Sequence, residues 1–151
     1  MDLIYRNINK DDLSEVRIIA EIDARIPLGF DTSYNFTEAA VDSRFEYLTS
    51  VPNEDFFEVV TSRGAIVGFH LVKKIPYTPN FLIGSIITLW VHPDFRNIGI
   101  ASKLKSRAEM WARENGLIFM QTNVHESNTR MLKINQSNGY IPAYINLRKI
   151  L

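Results

Sequence analysis

Hydrophobic residues follow two kinds of spacing along the chain, and together they predict a mixed α/β fold. Short runs rich in β-branched and aromatic residues predict strands over residues 3–8, 56–61, 65–75, 83–91, 117–124 and 140–150. Apolar positions at helical spacing predict four helices, which begin near Asp12, Glu38, Ala101 and Asn128 and end before Pro27, at about Thr49, at Gly116 and at Asn138. The order of these elements predicts antiparallel strands in the middle of the sheet and a parallel pair across the helix between residues 83 and 124.

The strand predicted over residues 83–91 is nearly all apolar, which is typical of the centre of a sheet covered on both faces. Gly68 interrupts the strand before it and predicts a bulge or a close approach of two backbones. Pro142, near the start of the last predicted strand, indicates an irregular start or a sheet edge. We therefore expect residues 83–91 to form the core strand.

Length and composition limit the possible functions. The 151 residues, 46% of them hydrophobic, are enough for one domain over residues 1–151. Seventeen basic and seventeen acidic side chains cancel, so we expect neither nucleic acid nor a membrane as a partner. The chain has no cysteine and only three widely spaced histidines, so we expect no metal site. Without a leader pattern or a membrane-spanning apolar run, the sequence indicates a cytoplasmic protein.

The segment between the core strand and the next helix has the residues of a phosphate site. A helix start leaves its first amides without partners and carries partial positive charge. Gly99 permits a close approach, and Arg96 adds a cation beside it. The Walker loop (G-x-x-x-x-G-K-S/T) and the dinucleotide loop (G-x-G-x-x-G) do not fit, because Gly99 is the only glycine of this stretch. The residues suit a pyrophosphate but not an ATPase or a dehydrogenase.

Residues 96–101 (Arg-Asn-Ile-Gly-Ile-Ala) match the signature R/Q-x-x-G-x-G/A and resemble the acetyl-coenzyme A loop of the GNAT acetyltransferase superfamily. The resemblance covers nearly the whole chain. Residues 5–13 resemble the family's first strand and helix, residues 66–69 its third strand, and residues 89–96 the entry to its coenzyme loop. Asn128 and Gly139-Tyr140 have the spacing of its later motif N-x-x-A-I-x-L-Y-E-K-x-G-F. The resemblance implies an α/β (α+β) GNAT fold, with a central mixed sheet of about six to seven strands flanked by about four helices.

The resemblance also implies an activity and the residues that hold the co-substrate. It implies an acetyl-coenzyme A-dependent N-acetyltransferase in which a neutral primary amine attacks the acetyl carbonyl directly, in a ternary complex. The pantetheine arm would pair with β-strand backbone, loop amides would hold the pyrophosphate, and an asparagine would bind the arm near the thioester. The implied residues are Leu89, Val91, Arg96, Asn97, Ile98, Gly99, Ile100, Ala101, Ser102 and Asn128.

The chain departs from the family pattern at the positions that transfer protons. The family's frequent tyrosine acid corresponds to Asn135, which cannot give a proton to the leaving thiolate. A glutamate found in one branch of the family corresponds to Asn123, and residues 83–91 hold no acidic side chain. A base or a water chain is still required. The nearest candidates by sequence are Glu126, His125 and His92, of which His92, just before Pro93, is more typical of a turn residue. The candidate catalytic residues are Asn135, Glu126 and His125.

Several alternatives stay open at this point. The chain is alternatively a non-catalytic sensor or regulatory module that binds acyl-coenzyme A, or an enzyme that uses a longer acyl donor. Asn128 is equally suited to cap its own helix. Asp23, Asp31 and Glu38 are the acidic residues that would attract an amine, whether a protein amino-terminus, an amino acid or a small antibiotic amine. Homodimers are common in the family, although no sequence feature specifies a dimer surface.

Overall fold

The computed structural model describes residues 2–151 and contains one mixed sheet with helices on both faces. The strands are β1 (Leu3–Asn7), β2 (Phe56–Ser62), β3 (Ala65–Thr78), β4 (Phe81–Val91) and β5 (Met120–Gln121). The helices are α1 (Leu13–Arg25), α2 (Glu38–Thr49), α3 (Ile100–Glu114) and α4 (Thr129–Ser137), with 3-10 turns at Ile26–Gly29 and Pro93–Phe95. No helix in the described part of the chain is both long and apolar enough to cross a membrane.

The sheet has the order β1-β2-β3-β4-β5, and sequence neighbours pair throughout. The first three pairs are antiparallel, whereas β4 and β5 are parallel, as predicted for the crossover through α3. One face packs under α1 and α2, with Ile19, Leu48 and Phe69 fully buried between them. The other face packs under α3, with Leu104 and Val60 at its centre. The ends of β4 and β5 are the part of the sheet at which a cleft can form.

Gly68 lies where two backbones approach closely, as the sequence predicted. A Cβ atom there would lie 3.2 Å from the Trp90 carbonyl oxygen and 3.3 Å from Ile100 Cγ2. The pairing register between β2 and β3 also shifts beside it, between Val60 and Thr61. The glycine therefore allows β3 to pass close to both β4 and the first residue of α3.

The predicted number of strands was too high, because the sheet has five strands rather than six to seven. The strand predicted over residues 117–124 shortens to Met120–Gln121, and residues 140–150 form no strand. A strand exists only where a neighbour accepts its hydrogen bonds. In the described structure β5 has a neighbour on one side only, and residues 141–151 have none.

Two titratable side chains lie buried between the sheet and α3. His70 is fully buried and its Nδ1 lies 2.9 Å from the Thr88 carbonyl oxygen, while burial lowers its pKa to about 3. The ring is therefore neutral and donates to β4. Lys105 on α3 is 1% exposed, and burial lowers its pKa to about 8. Its Nζ lies 4.3 Å from the centre of the Tyr140 ring, which faces the ammonium.

Replacing Lys105 with methionine is expected to stabilise the fold at neutral pH. Burial lowers the pKa of Lys105 from its ordinary value of 10.5 to about 8, so the unfolded chain binds the proton more tightly than the folded chain. Below pH 8 the lysine is protonated in both states, and the folded state bears the full free-energy cost of burying the charge. The shift corresponds to at most about 3 kcal/mol, reduced by the Tyr140 contact. The gain should shrink between pH 8 and 10.5 and vanish above that range.

Urea unfolding at pH 7 and at about pH 10 measures this gain. Lys133→Met is the matched control, because Lys133 is exposed on α4 and its loss should change stability by less than about 0.5 kcal/mol. A Lys105→Met protein less stable than the parent at pH 7 would show that the ammonium contributes more through Tyr140 than burial costs.

Candidate functional site

The candidate site begins where β4 and β5 diverge. The two strands pair only at Gly84 with Met120 and at Ser85 with Gln121. Beyond Ser85, the β5-side edge of β4 pairs with no strand of the described chain. The remaining length of β4 therefore offers unpaired backbone groups along one side of a gap.

A bulge in β4 determines which residues face this gap. Before the bulge, even-numbered residues of β4 face the β5 side. The Leu82 carbonyl oxygen accepts from Ile118 N at 3.1 Å, and Gly84 N donates to the Phe119 carbonyl oxygen at 3.0 Å. The register with β3 then shifts between Ile86 and Thr88, so the alternation reverses. After it, His92 N donates to Val67 O of β3 at 2.9 Å, and alternate residues must point the other way. The amides of Leu89 and Val91, two of the predicted binding residues, therefore face the gap.

The start of α3 lies directly beyond the end of β4 and has no side-chain cap. Asp12, Thr37 and Asn128 cap the other three α-helices of residues 2–151, whereas α3 begins at Gly99 without such a hydrogen bond. The left-handed backbone of Asn97 (φ 62°) and Gly99 (φ 90°) turns the chain into the helix. The first amides of α3 are consequently left for an anion from outside the chain.

Two arginines add positive charge beside this helix start. Arg96 Nε donates to the Val91 carbonyl oxygen at 3.0 Å, which fixes its guanidinium at the end of β4. Arg130, on the first turn of α4, lies close enough that partial desolvation and then the Arg96 charge lower its pKa. Neither arginine forms an ion pair with a carboxylate of the described residues. Two like charges without a counterion favour an anionic ligand.

A cleft of about 540 Å³ joins these features. The end of β4, the start of α3 and the start of α4 form one side of it, and the end of α1 forms the other. The lining residues include Ile22, Arg25, Ile26, Gly29, Phe30, Leu89, Val91, Arg96, Ala101, Ser127, Asn128, Arg130, Met131 and Ile134. Among the predicted binding residues, the cleft brings together Leu89, Val91, Arg96, Ala101 and Asn128.

The remaining loop positions are neighbours of Ala101 along the chain but do not line the cleft. Asn97, Ile98 and Gly99 are exposed, Ile100 is buried under the sheet, and Ser102 is exposed on the first turn of α3. The sequence left two positions open for Asn128, a helix cap or a residue of the binding site. Asn128 Oδ1 caps α4 by accepting from Met131 N at 3.2 Å, and the residue also lines the cleft. Arg130 was not among the predicted residues, since an arginine on a helix start has no sequence signature that distinguishes it from a solvated surface residue.

The three predicted catalytic residues lie near the cleft without forming its lining. His125 Nδ1 accepts from Ser127 N at 3.1 Å, and its Nε2 lies 3.9 Å from Asp31 Oδ2. Neutral His125 therefore keeps its proton on Nε2 and has no free lone pair. Glu126 is exposed. Asn135 is 5% exposed, and its Oδ1 is buried without a hydrogen-bond partner in the described chain.

Asp31 lies in the loop between α1 and α2, opposite His125, and accepts two hydrogen bonds within that loop. Hydrogen bonds from the hydroxyl and the backbone amide of Ser33 are the main reason that the pKa of Asp31 is lowered. The ring of Phe30 lies 5.4 Å from that of His125. The loop after α1 and the loop before α4 therefore meet at one end of the cleft, and their contact combines charge with ring packing.

Asp23 is a buried carboxylate on the opposite side of the α1 end. It is 5% exposed, and its Oδ2 lies 3.1 Å from Arg44 Nε but has no hydrogen bond of good geometry. Burial raises its pKa, while Arg44 and the Thr88 hydroxyl oppose the shift. Thr88 directly precedes Leu89, so this carboxylate lies against the strand that faces the gap.

A second cavity, of about 270 Å³, opens beside Asp23. Its lining combines the carboxylate with two tyrosines and one arginine: Asp23, Ala24, Pro27, Tyr34, Ala40, Ser43, Arg44 and Tyr47. Ile22, Arg25 and Ile26 of the same helix line the first cleft, so the last turn of α1 borders both spaces. An anionic group among aromatic rings is suited to a cationic nitrogen.

The open edge of β4 and the uncapped start of α3 lie at one cleft on this mixed sheet. The chain matches the acetyltransferase (GNAT) family over residues 18–140, and it belongs to that family. A search of curated protein sequences finds no match.

Solved structures share the fold at low sequence identity. A GCN5-related N-acetyltransferase from Ralstonia eutropha JMP134 superposes with a TM-score of 0.76 and 23% identity, covering 99% of each chain. Aminoglycoside N-acetyltransferase AAC(6')-Iy in complex with CoA has a TM-score of 0.70 and 18% identity, covering 98% of this chain and 95% of its own. An aminoglycoside acetyltransferase from an uncultured soil metagenomic sample, in complex with sisomicin, has a TM-score of 0.72 and 16% identity, covering 99% and 96%. These TM-scores show that the chain shares its fold with these acetyltransferases.

Proposed function

We propose that this chain, acting as one domain, is an N-acetyltransferase that moves acetyl from acetyl-coenzyme A to a primary amine. The observation that carries the proposal is the uncapped start of α3 directly beyond the open edge of β4. An uncapped helix start binds a pyrophosphate, and an open strand edge binds an extended amide chain. Coenzyme A contains both groups in series. The CoA complex of AAC(6')-Iy supports the same co-substrate.

The loop residues bind the co-substrate in this proposal. The amides of residues 97–102 and the guanidiniums of Arg96 and Arg130 hold the pyrophosphate. The amides of Leu89 and Val91 bond to the pantetheine arm or polarise the acetyl carbonyl, and Asn128 bonds to the arm near the thioester. Val91 has a free amide but not a free carbonyl, because Arg96 Nε already donates to that oxygen.

The acceptor amine enters from the side of Asp23. Its ammonium gives a proton to the Asp23 carboxylate, and the nitrogen lone pair then attacks the acetyl carbonyl carbon. A C–N bond forms and the C–S bond breaks. The nitrogen then loses its second proton, and the departing thiolate of coenzyme A takes up one proton, so that the products are the amide and free coenzyme A. The raised pKa of Asp23 suits it to accept this proton, since a weakly basic carboxylate would not. The aminoglycoside acetyltransferase solved with sisomicin supports an amine as the acceptor class.

Asp23 is a better candidate than His125 or Glu126 for this step. The Nδ1 lone pair of His125 already accepts from Ser127, and Glu126 is exposed to solvent. Either residue would act only through an intervening water. Asp23 is buried against β4 beside a cavity large enough for a substrate group, which keeps its proton transfer apart from bulk water.

Asn135 directly follows Ile134, which lines the cleft. In this proposal the side-chain amide of Asn135 turns toward the cleft and donates to the departing thiolate. Replacing Asn135 with leucine is expected to lower kcat by roughly 10- to 100-fold, because one hydrogen bond to a charged group is lost. The same change removes a buried oxygen without a partner, so Tm should stay equal or rise. Steady-state kinetics and thermal unfolding of the variant measure both effects.

Gln136→Leu is the matched control for Asn135, because Gln136 is the next residue of α4 and is exposed. Its kcat should stay within about threefold of the parent. If Asn135→Leu keeps the parent's kcat, Asn135 has no part in the release of the thiolate.

The proposed activity is tested by thiol release from acetyl-coenzyme A in the presence of a panel of primary amines. The panel should contain aminoglycosides, free amino acids and short peptides with free amino-termini. Turnover with at least one amine is the expected result, and donors of increasing chain length then define the acyl preference. Binding of acetyl-coenzyme A without turnover on any amine would favour the alternative of a non-catalytic sensor.

A further inference from the structure

The cavity of about 270 Å³ is lined by one anion and one cation that lie against each other, Asp23 and Arg44. Asp23 Oδ2 is buried and accepts no hydrogen bond of good geometry from residues 2–151. Arg44 Nε lies 3.1 Å from this oxygen, and Arg44 is not among the arginines whose side chains donate hydrogen bonds within the described chain. A buried carboxylate oxygen and the terminal N–H groups of a guanidinium are therefore left for a ligand.

The charges around the two spaces disfavour an acceptor with several positive charges. Within residues 2–151, Asp23 is the only acidic residue that lines either space. Arg44 balances its charge in the small cavity, and Arg25, Arg96 and Arg130 line the larger cleft. A second ammonium on the acceptor would meet arginines and no further carboxylate. An acceptor whose own charges sum to zero fits this arrangement better than a polyamine or an aminoglycoside does.

The cavity is also small, and the rest of its lining is mainly apolar. Its volume lies below the roughly 300–1,000 Å³ of pockets that hold drug-sized ligands. The Tyr34 hydroxyl is already used, because it donates to the Ala24 carbonyl oxygen at 2.6 Å. The other lining residues are Ala24, Pro27, Tyr34, Ala40, Ser43 and Tyr47. The cavity therefore suits a small molecule with one polar end, at the Asp23–Arg44 pair, and one apolar end.

We propose that the acceptor is a free α-amino acid, bound with its amino group at Asp23 and its carboxylate at Arg44. The proposal rests on the acetyltransferase activity proposed above and adds the substrate class. A single carbon atom separates the amino group from the carboxylate, so the two groups reach two side chains that lie 3.1 Å apart. The planar guanidinium is suited to donate two parallel hydrogen bonds to a carboxylate. A peptide amino-terminus carries a neutral amide at that place and lacks this contact.

Acetyl transfer to this acceptor gives an N-acetyl amino acid and free coenzyme A. The C–S bond of acetyl-coenzyme A breaks and a C–N bond forms. The ammonium nitrogen loses two protons, of which the coenzyme sulfur takes up one and water receives the other by way of Asp23. The product keeps its carboxylate for Arg44 but offers no cation to Asp23, so it binds more weakly than the amino acid and leaves the cavity.

Pairs of amino acids and their amides test the substrate class directly, with alanine, leucine and phenylalanine as the amino acids. Each amide keeps the amino group and the side chain and lacks only the carboxylate charge. We expect kcat/KM to be roughly 10- to 100-fold higher for at least one amino acid than for its amide, as for other hydrogen bonds to charged groups. Turnover of every amide at least as fast as its amino acid would overturn the proposal and leave the acetyltransferase activity standing.

Substitution of Arg44 tests which side chain reads the carboxylate. Arg44→Gln should reduce the preference for the amino acid over its amide to less than about threefold, and Arg44→Lys should keep part of it through its charge. Arg17→Gln is the matched control, because Arg17 pairs with Asp42 between the same two helices and lines neither space. A preference measured within one protein does not depend on how much of that protein is folded. A preference unchanged in Arg44→Gln would overturn the role of Arg44.

Thermal unfolding separates failure of this proposal from failure of the proposed activity. The measurement is made with coenzyme A present, because coenzyme A has no acetyl group to transfer. We expect the Tm of the parent to rise with at least one of the three amino acids and to rise less with its amide. A rise without turnover on any amine would contradict the acetyl transfer alone. No rise with any of the three amino acids would overturn the amino acid site.

Discussion

Coenzyme A binding should be lost when Gly99 is replaced with glutamate, with the dissociation constant rising by roughly 100-fold or more. The new carboxylate would stand among the amides proposed to hold the pyrophosphate, and its charge would repel the ligand. The left-handed backbone of Gly99 adds strain, although no atom lies within 4 Å of the position a Cβ would take. Isothermal titration with coenzyme A measures the change.

Gly116→Glu is the matched control for this variant. Gly116 follows the other end of α3, is also left-handed (φ 70°), and has equally open space around its Cα. The control therefore carries the same charge and a similar strain away from the proposed site. If Gly99→Glu binds coenzyme A as tightly as Gly116→Glu, the loop does not hold the pyrophosphate.

Replacing Asp23 with asparagine is expected to lower kcat by about 10²- to 10⁴-fold, the usual contribution of a general base. Asparagine has nearly the same shape but cannot accept the proton of the acceptor ammonium. In the parent, kcat should fall as the pH drops through the pKa of Asp23, because the base must be ionised to act. Burial raises that pKa, so the decline should begin above the range of an ordinary carboxylate. In the Asp23→Asn variant, kcat should no longer show this decline at low pH, which we call the acidic limb of the pH profile.

Asp42→Asn controls for the loss of an acidic residue that pairs with arginine. Asp42 lies on α2, its side chain is 64% exposed, and its Oδ1 accepts from Arg17 at 2.7 Å. It lines neither of the two spaces described above. Its kcat should remain within about threefold of the parent. A kcat for Asp23→Asn in the same range, with the acidic limb intact, would assign the proton transfer to another group.

Local sequence signals predicted the helices well. Asp12, Thr37 and Asn128 cap the helices that follow them, and the apolar spacing of α1 and α3 matches the faces that the structure buries. The antiparallel hairpin and the parallel crossover were also correct. These features depend on residues close together in sequence, so a single chain contains the information needed to predict them.

The two last strands were predicted less well, because a strand depends on its neighbour. Residues 117–124 and 140–150 have the composition of strands, but composition does not show whether an edge is available. In the described structure β5 has one neighbouring strand and residues 140–150 have none.

The candidate site was predictable only where it follows a local motif. The loop after β4 matches the motif R/Q-x-x-G-x-G/A, and Asn128 is the first residue of the family's later motif. Asp23 was recognised only as one of three acidic residues that would attract an amine, because its partners Arg44 and Thr88 come from distant parts of the chain. Its burial follows from how α1, α2 and β4 pack together, which no short pattern specifies.

Thermal unfolding with and without acetyl-coenzyme A tests the central claim most directly. A ligand at about 100 times its dissociation constant adds about 2.7 kcal/mol to the stability of the fold, which raises Tm by roughly 5–10 °C for a chain of this size. We expect a rise in this range, absent in Gly99→Glu and present in Gly116→Glu. An unchanged Tm of the parent at millimolar acetyl-coenzyme A would contradict the proposed co-substrate site, and with it the acetyl transfer derived from it.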